Sequence, residues 1–325
     1  MKVGKISESV LKRSVLKQLK SKNTQVKNGA GVGADCAIFS CGDALTATCI
    51  QAAVVPVPTE IRYLIHKAAN GVACGKAVPV LAQMTLLLPP DAEEDILKQY
   101  ISAAEETARE LGIQIAGGHT EVTEAVNHPC VTVQVTGTLS GTVLNPGGAN
   151  PGQDIVVSKW VGLEGSAKLA DAYADKLSTR YPYHMIAEAA SFKKYLSIIP
   201  EAATAIKSNV GAMHDVSGGG IFAALWELAE SAGVGLTVDL KKIPVRQETI
   251  EVCEFFGISP YELLSGGALL MTTDDGEELV HSLAEVQIPA TVIGKITANN
   301  DRVVINEDEK RFLERPKSDE ITKIE

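Results

Sequence analysis

No two cysteines in this sequence are spaced C-x-x-C, and the six present, at 36, 41, 49, 74, 130 and 253, show no zinc-type Cys/His spacing. That leaves out a structural zinc site and a dithiol motif. No uninterrupted apolar segment approaches the ~20 residues of a membrane-spanning helix, since the longest runs, such as LAQMTLLLPP, stop at prolines. The opening stretch MKVGKISESVLKRS has no apolar core of the kind a secretory signal needs. A reduced, cytoplasmic protein with no membrane partner is expected. Positive charge is also short, at 30 basic against 40 acidic residues and a net charge of −10, which argues against nucleic acid as a partner. A small acidic ligand would have to be met by local devices such as backbone N–H groups, helix N-termini and metal ions.

What is present is length, glycine and regular apolar patterning. A chain of 325 residues exceeds what one core usually organises, so two domains are expected. The break falls in SGTVLNPGGANPGQD, Ser140 to Asp154, and places domains at 1–150 and 151–325. In the first, Leu11, Val15 and Leu19 form a helical stripe, and strands are predicted at Ala37–Phe39, Ala44–Ile50, Leu81–Leu88 and Val131–Thr138. A helix between the last two opens on Asp91 with Glu94, buries Leu97, Ile101 and Ala104, and ends at Gly112. In the second, strands at Asp154–Lys159, Gly235–Leu240, Ala268–Thr272 and Thr291–Ile296 alternate with helices around 164–177, 183–195, 246–256 and 275–286. Only ERPKSDEITKIE, at the end, reads as a tail. The fold class is α/β, or α+β.

Three glycine loops carry the chemistry. GAGVGADCAIF, Gly29 to Phe39, would turn the N–H groups of Gly31 and Gly33 toward one point beside Asp35, or serve as a tight turn feeding an edge strand. IQIAGGHTEVT, Ile113 to Thr123, delivers Gly117 and Gly118 followed by His119, Thr120 and Glu121, types suited to phosphate or metal work or to a glycine turn capped by His119. HDVSGGG, His214 to Gly220, sets Ser217, Gly218, Gly219 and Gly220 at the mouth of a helix, where free N–H groups and the positive dipole end face an anion. His119, His214 and Asp215 are the candidate catalytic groups.

GVGADC, AANGVA with AVPV, LLLPP, GGHTEVT with AVNHP, VSKWVGLEGSAKLA, MHDVSGGGIFAALWELAE and PVRQETIEVCEFFGISPYELLSGGALLM follow one another along nearly the whole chain. Together they resemble the aminoimidazole ribonucleotide synthase-related (PurM-like) superfamily, nearest its hydrogenase-maturation (HypE-like) branch. The resemblance implies an N-terminal four-stranded-sheet domain that pairs into a barrel across a homodimer. It also implies a C-terminal α/β domain with helices on one side of its sheet, and ATP in the cleft between the domains. ATP with Mg²⁺ would phosphorylate an oxygen of a small-molecule substrate, chemistry that depends on positioning and charge neutralisation. Carried onto this sequence, Gly31, Gly33, Asp35, Asn70, Gly117, Gly118, His119, Thr120 and Ser217 to Gly220 would hold the nucleotide, and Asp35 and Glu121 the metal.

The chain departs from that pattern. Gln51 and Gly71 stand where the resemblance implies aspartates, and Ala34 where it often has glutamate. The branch's terminal cysteine has no counterpart either, since the chain ends Lys323-Ile324-Glu325 and its last cysteine is Cys253. Each lost carboxylate removes a hard oxygen ligand and a negative charge. Three readings stand: an ATP-dependent phosphoryl-transfer enzyme, a nucleotide- or ligand-binding regulatory relative without turnover, or a dimeric scaffold that kept the fold and lost the site.

Overall fold

The computed structural model describes residues 4–139, 141, 143, 144, 147–314 and 318–324. Residues 140, 142, 145 and 146 of the expected domain boundary lie outside the described residues. Contacts divide the chain into two compact units, one of Asn23–Gly29 with Asp35–Val143, the other of Met1–Lys22, Ala30–Ala34 and Leu144–Glu325.

The N-terminal unit is a six-stranded sheet rather than the four strands expected. In chain order its elements are β1 (Val26–Asn28), β2 (Ala37–Cys41) and β3 (Ala44–Val54), then β4 (Val78–Leu88), β5 (Gln114–Val122) and β6 (Cys130–Leu139). They lie side by side as β1-β2-β3-β6-β4-β5, with only β4 and β5 parallel. Alternation sets the layers: Ala47 and Cys49 of β3 and Val131, Val133 and Val135 of β6 are buried, while their neighbours face the other way. Two helices, Ile61–Cys74 and Glu94–Leu111, cover that buried face, the first through Ile61, Ile65, Ala68, Ala69 and Val72. The second buries Tyr100, Ala104, Thr107 and Ala108 and leaves Ile101 exposed, so its stripe is turned from the expected Leu97–Ile101–Ala104 line. It starts without a side-chain cap but ends, as expected, at a left-handed Gly112.

The opposite face of this sheet has no helix over it among the described residues. It carries Ile50, Val54, Val78 and Val80 well exposed, beside a hydrogen-bonded row of Thr48, Thr136 and Gln134.

The second unit holds a seven-stranded sheet. Its strands are β7 (Asp154–Ser158), β8 (Ala212–Val216), β9 (Gly235–Asp239), β10 (Ala268–Thr273), β11 (Ala290–Thr297), β12 (Arg302–Asn306) and β13 (Glu309–Phe312), ordered β13-β12-β9-β11-β7-β10-β8. The interior strands β7 and β10 are buried along nearly their whole length, which is why they read as continuous apolar runs. The Gly220–Ala232 helix packs on one face through Ile221, Leu225, Leu228 and Ala229. The Ile199–Ala205 and Gly276–Glu285 helices lie on the other, with Gly276 against Asp154 and Val292. Helices therefore cover both faces, not one. Three more, Leu163–Ala172, Tyr183–Ser191 and Gln247–Phe256, build a satellite core around Leu169, Ile186, Val252 and Leu263.

Two segments pack differently from the expected pattern. Residues 4–22 form broken helical turns whose expected stripe is exposed at Val15 and Leu19. The segment is held by charge instead: Lys5 pairs with Glu227, Lys12 with Glu230, and Trp226 donates its indole N–H to Glu8 at 2.7 Å. Ser318–Ile324, expected to be a tail, is docked: Ile321 joins the satellite core and the Glu320 carboxylate accepts from the Ser259 N–H at 3.1 Å.

Candidate nucleotide site

The first loop is split between the units, residues 30–34 going with the C-terminal one and Asp35 with the N-terminal one. Gly33 has φ +70°, and a Cβ on it would lie 2.7 Å from the carbonyl oxygen of Glu227. Its glycine is thus accounted for by close approach to the Gly220–Ala232 helix. Gly31 is exposed, with only Ala34 near a Cβ placed there.

Asp35 leads into β2 half-buried. Asn70, 1% exposed, lies on the Ile61–Cys74 helix next to Gly71. A Cβ at Gly71 would meet Cys49 Sγ at 2.6 Å and the Asp35 carbonyl oxygen at 2.9 Å, and one at Gly75 would meet Cys36 Sγ at 2.6 Å. Cys36 and Cys49 come next to the paired Ala37 and Thr48, so a thiol just ahead of β2 and one on β3 seat against two glycines one helical turn apart. Gln51 donates its amide N–H to Cys49 Sγ at 3.4 Å. The room an aspartate would need at position 71 is filled, and the side chain at 51 is turned to the same sulfur. Burial, helped by the charge of Asp35, pushes the Cys36 thiol up to about 12, so it is packed as a thiol and not as a thiolate.

The second loop is not a loop. Gly117 to Glu121 belong to β5, an edge strand whose backbone is extended and parallel to β4. Successive N–H groups of a strand point to opposite sides, so those of Gly117 and Gly118 do not converge on one anion. Gly118 is glycine because a Cβ would fall 1.8 Å from the Met84 carbonyl oxygen. His119 and Glu121, two residues apart, share the uncovered face of the sheet, with Nε2 3.0 Å from Oε2, and Thr120 lies on the other side of the strand. Four strand spacings separate β2 from β5, roughly 19 Å at ~4.8 Å each. Asp35 and Glu121, expected to share a metal, are not brought together within one chain.

In the C-terminal unit β8 delivers His214 and Asp215 to opposite faces of the sheet. His214, 5% exposed, has Nε2 3.2 Å from Glu227 Oε2, and the other Glu227 oxygen takes Lys5 Nζ at 2.7 Å. Burial would raise the Glu227 carboxyl, but the His214 hydrogen bond and the Lys5 charge outweigh it and hold it down at about 2. Asp215 faces a second buried charged group, in which Lys159 pairs with Glu201 and donates to the carbonyls of Tyr195 at 2.9 Å and Ser197 at 2.6 Å. Burial lowers the Lys159 ammonium from its ordinary value, while Glu201 and Asp215 pull it back. The sequence reading missed Lys5, Glu227, Lys159 and Glu201, because each is paired only through tertiary contact.

Beyond β8, Ser217 to Gly220 make the expected turn into the Gly220–Ala232 helix, with Gly219 at φ +84° and Gly220 at φ +65°. Its donors are used by the chain itself. Gly219 N donates to Asp319 Oδ2 at 2.6 Å, Gly220 N to the Ser217 carbonyl at 3.1 Å, and Phe222 N to the Tyr261 carbonyl at 3.2 Å.

Among the described residues no three His, Cys, Asp or Glu side chains converge as a metal ion's ligands would. A thiol-filled gap at Gly71 and a neutral amide at Gln51 leave out the two carboxylates, and the negative charge they would bring to Mg²⁺.

Two α/β units, one a half-covered mixed sheet and the other a sheet with a glycine turn opening a helix, make this a two-domain protein of the PurM-like fold. The chain belongs to the AIR synthase related family: the family's N-terminal domain model matches residues 32–139 and its C-terminal domain model residues 150–306. It is 25% identical to a putative hydrogenase expression/formation protein of Methanocaldococcus jannaschii, over 99% of this chain and 97% of that one. It is 23% identical to the carbamoyl dehydratase HypE of Rhizobium leguminosarum bv. viciae, over 74% of this chain and 69% of that one. Among solved structures, AaThiL complexed with AMPPCP and TMP superposes with TM-score 0.75 at 20% identity, covering 96% of each chain. The hydrogenase maturation protein HypE in complex with ATP gives TM-score 0.72 at 18% identity, covering 96% of this chain and 95% of that one. No helix among the described residues is long and apolar enough to cross a membrane.

Proposed function

We propose that this chain is a nucleotide-binding member of the AIR synthase related family that takes an ATP-type ligand without metal-dependent phosphoryl transfer. One observation carries the reading: the space at Gly71 is filled by the Cys49 thiol and the Asp35 carbonyl, with Gln51 turned to the same sulfur. Phosphoryl transfer needs charge neutralisation at the phosphates, for which divalent cations on carboxylates are the usual device, and the carboxylates are missing at both positions. Support for the nucleotide comes from relatives of the same fold in complex with ATP and with AMPPCP. In this reading Asp35 and Asn70 are polar contacts of the nucleotide, and Asp35 is not a metal ligand. Cytoplasmic placement belongs to the same reading, on the reduced state of six free cysteines.

The same reading includes a homodimer formed through the uncovered face of the N-terminal sheet. Ile50, Val54, Val78 and Val80 are 63, 56, 66 and 48% exposed there, a patch whose burial would remove apolar area from water.

Thermal unfolding tests the nucleotide claim. A ligand that binds only the folded chain stabilises it by about 2.7 kcal/mol at a hundredfold excess over Kd. ATP should raise the melting temperature equally in EDTA and in Mg²⁺. A rise seen only with Mg²⁺ would refute metal-free binding, and no rise in either would refute the nucleotide.

A further inference from the structure

Asparagine is followed by glycine twice in this chain, at Asn28-Gly29 and at Asn70-Gly71. The pair carries chemistry of its own. A glycine N–H has no Cβ beside it to hinder approach, so it can close on the side-chain amide carbon of the asparagine before it, a ring closure that needs no diffusion. The fold decides whether the two groups can meet.

At Asn70 they cannot. The residue is 1% exposed inside the Ile61–Cys74 helix, which fixes the backbone on both sides and ties the Gly71 N–H into its ladder. The Cys49 sulfur and the Asp35 carbonyl lie against Gly71, so water and base have no way in. Asn28 is placed differently. It ends β1, a three-residue strand at the edge of the sheet whose register breaks between Val26 and Asn28, so local opening there costs little. Gly29, Ala30 and Gly31 after it are exposed. The Asn28 side-chain amide donates to the Cys36 carbonyl at 3.3 Å, and this clasp fastens together the two ends of the loop GAGVGAD.

We infer that Asn28-Gly29 is a site of spontaneous isoaspartyl formation, and that the reaction unfastens the base of the first glycine loop. Hydroxide takes the Gly29 N–H proton, the nitrogen bonds to Asn28 Cγ, and the Cγ–Nδ2 bond breaks with loss of ammonia to leave a cyclic imide. Water then adds to either ring carbonyl and opens the ring to aspartate or, with the main chain rerouted through Cγ, to isoaspartate. The sum is asparagine plus water giving an acidic residue plus ammonia; nothing is oxidised or reduced. Either product ends the clasp, because a carboxylate has no proton to donate to the Cys36 carbonyl. Isoaspartate also lengthens the main chain by a methylene, which removes the pairing of Asn28 with Ile38. None of this depends on what the loop binds.

Gly29 supplies the control. A Cβ there would meet only Val26 Cγ1, at 3.7 Å, and the Gly29 φ is not positive, so Gly29→Ala fits the fold while shielding the nitrogen. The test incubates the full chain at mildly alkaline pH and maps asparagine, aspartate and isoaspartate at both positions by peptide mass spectrometry, with a urea-unfolded sample alongside. In the folded chain Asn28 should convert, with release of ammonia, while Asn70 stays intact; in urea both should convert. Gly29→Ala should keep Asn28 intact in the folded chain. Hydrogen exchange over residues 24–29 and 36–41 should quicken in the converted chain and in Asn28→Asp. Asn28 as inert as Asn70 in the folded chain, or conversion that ignores Gly29→Ala, would overturn the site, and exchange that ignores conversion would overturn the unfastening. Should Gly29→Ala fail to fold, the contrast between folded and unfolded wild type decides alone.

Discussion

Replacing Gly71 by alanine tests the interlock of thiols and glycines that fills the expected metal position. Alanine is the better helix former by about 1 kcal/mol, so an unobstructed position would gain stability. Here the new methyl would sit 2.6 Å from Cys49 Sγ, 3.2 Å from Cys49 Cβ and 2.9 Å from the Asp35 carbonyl oxygen. Neither neighbour yields cheaply, since Cys49 is 4% exposed on a central strand and the oxygen is backbone. Overpacking costs about 1–3 kcal/mol, and with neither neighbour able to yield the upper half of that range, about 2–3 kcal/mol, applies, which leaves a net loss of about 1–2 kcal/mol for Gly71→Ala. Cys49→Ala removes the sulfur, so the double variant should recover part of the loss, with a coupling of about 1 kcal/mol. Trp160 and Trp226 both belong to the C-terminal unit, so their fluorescence would report the wrong transition. Urea unfolding followed by hydrogen exchange over residues 61–74 is the assay. A Gly71→Ala chain as stable as the wild type, or strict additivity of the two changes, would refute the packing argument.

Three more outcomes are expected. Glu227, held at about 2 against an ordinary 4.5, contributes stability that is present above pH 4.5 and lost as pH falls toward 2. At neutral pH Glu227→Gln should cost about 2–3 kcal/mol, shrinking across that window in acid unfolding curves, and a pH-independent difference would contradict it. Lys159→Met strands the buried Glu201 carboxylate and should cost about 3–5 kcal/mol, whereas Lys159→Met with Glu201→Leu should cost less; denaturant midpoints check both, and a costlier double variant would count against it. Ile50→Lys places a charge in the middle of the uncovered sheet face and should shift light-scattering mass to that of a monomer, whereas an unchanged dimer would move the interface elsewhere.

Much of the fold was legible because alternation and helical stripes report burial directly: β3, β4, β6 and β10 fall within a few residues of their expected ranges. Glycine was harder to read. Gly33, Gly71, Gly75 and Gly118 are small because backbone or sulfur from distant segments comes close, and Gly33 and Gly118 were open to a ligand reading when only the sequence neighbours were in view. GGHTE became a strand because pairing with β4 supplied hydrogen bonds that its own propensities do not announce. Residues 4–22 read as an apolar-striped helix and 318–324 as a tail because their actual anchors are ion pairs and backbone donors far along the chain. Of the candidate site, the HDVSGGG turn formed as expected, but its occupant, Asp319, is 100 residues away from Gly219 in sequence.

The central claim is nucleotide binding without a catalytic metal, and calorimetric titration of ATP into the full chain, with Mg²⁺ and with EDTA, tests it most directly when phosphate release is followed in the same samples. The account predicts saturable binding whose Kd differs by less than about threefold between the two conditions, under 1 kcal/mol, with no phosphate released above the protein-free control. Binding that requires Mg²⁺ and is accompanied by phosphate release would contradict it.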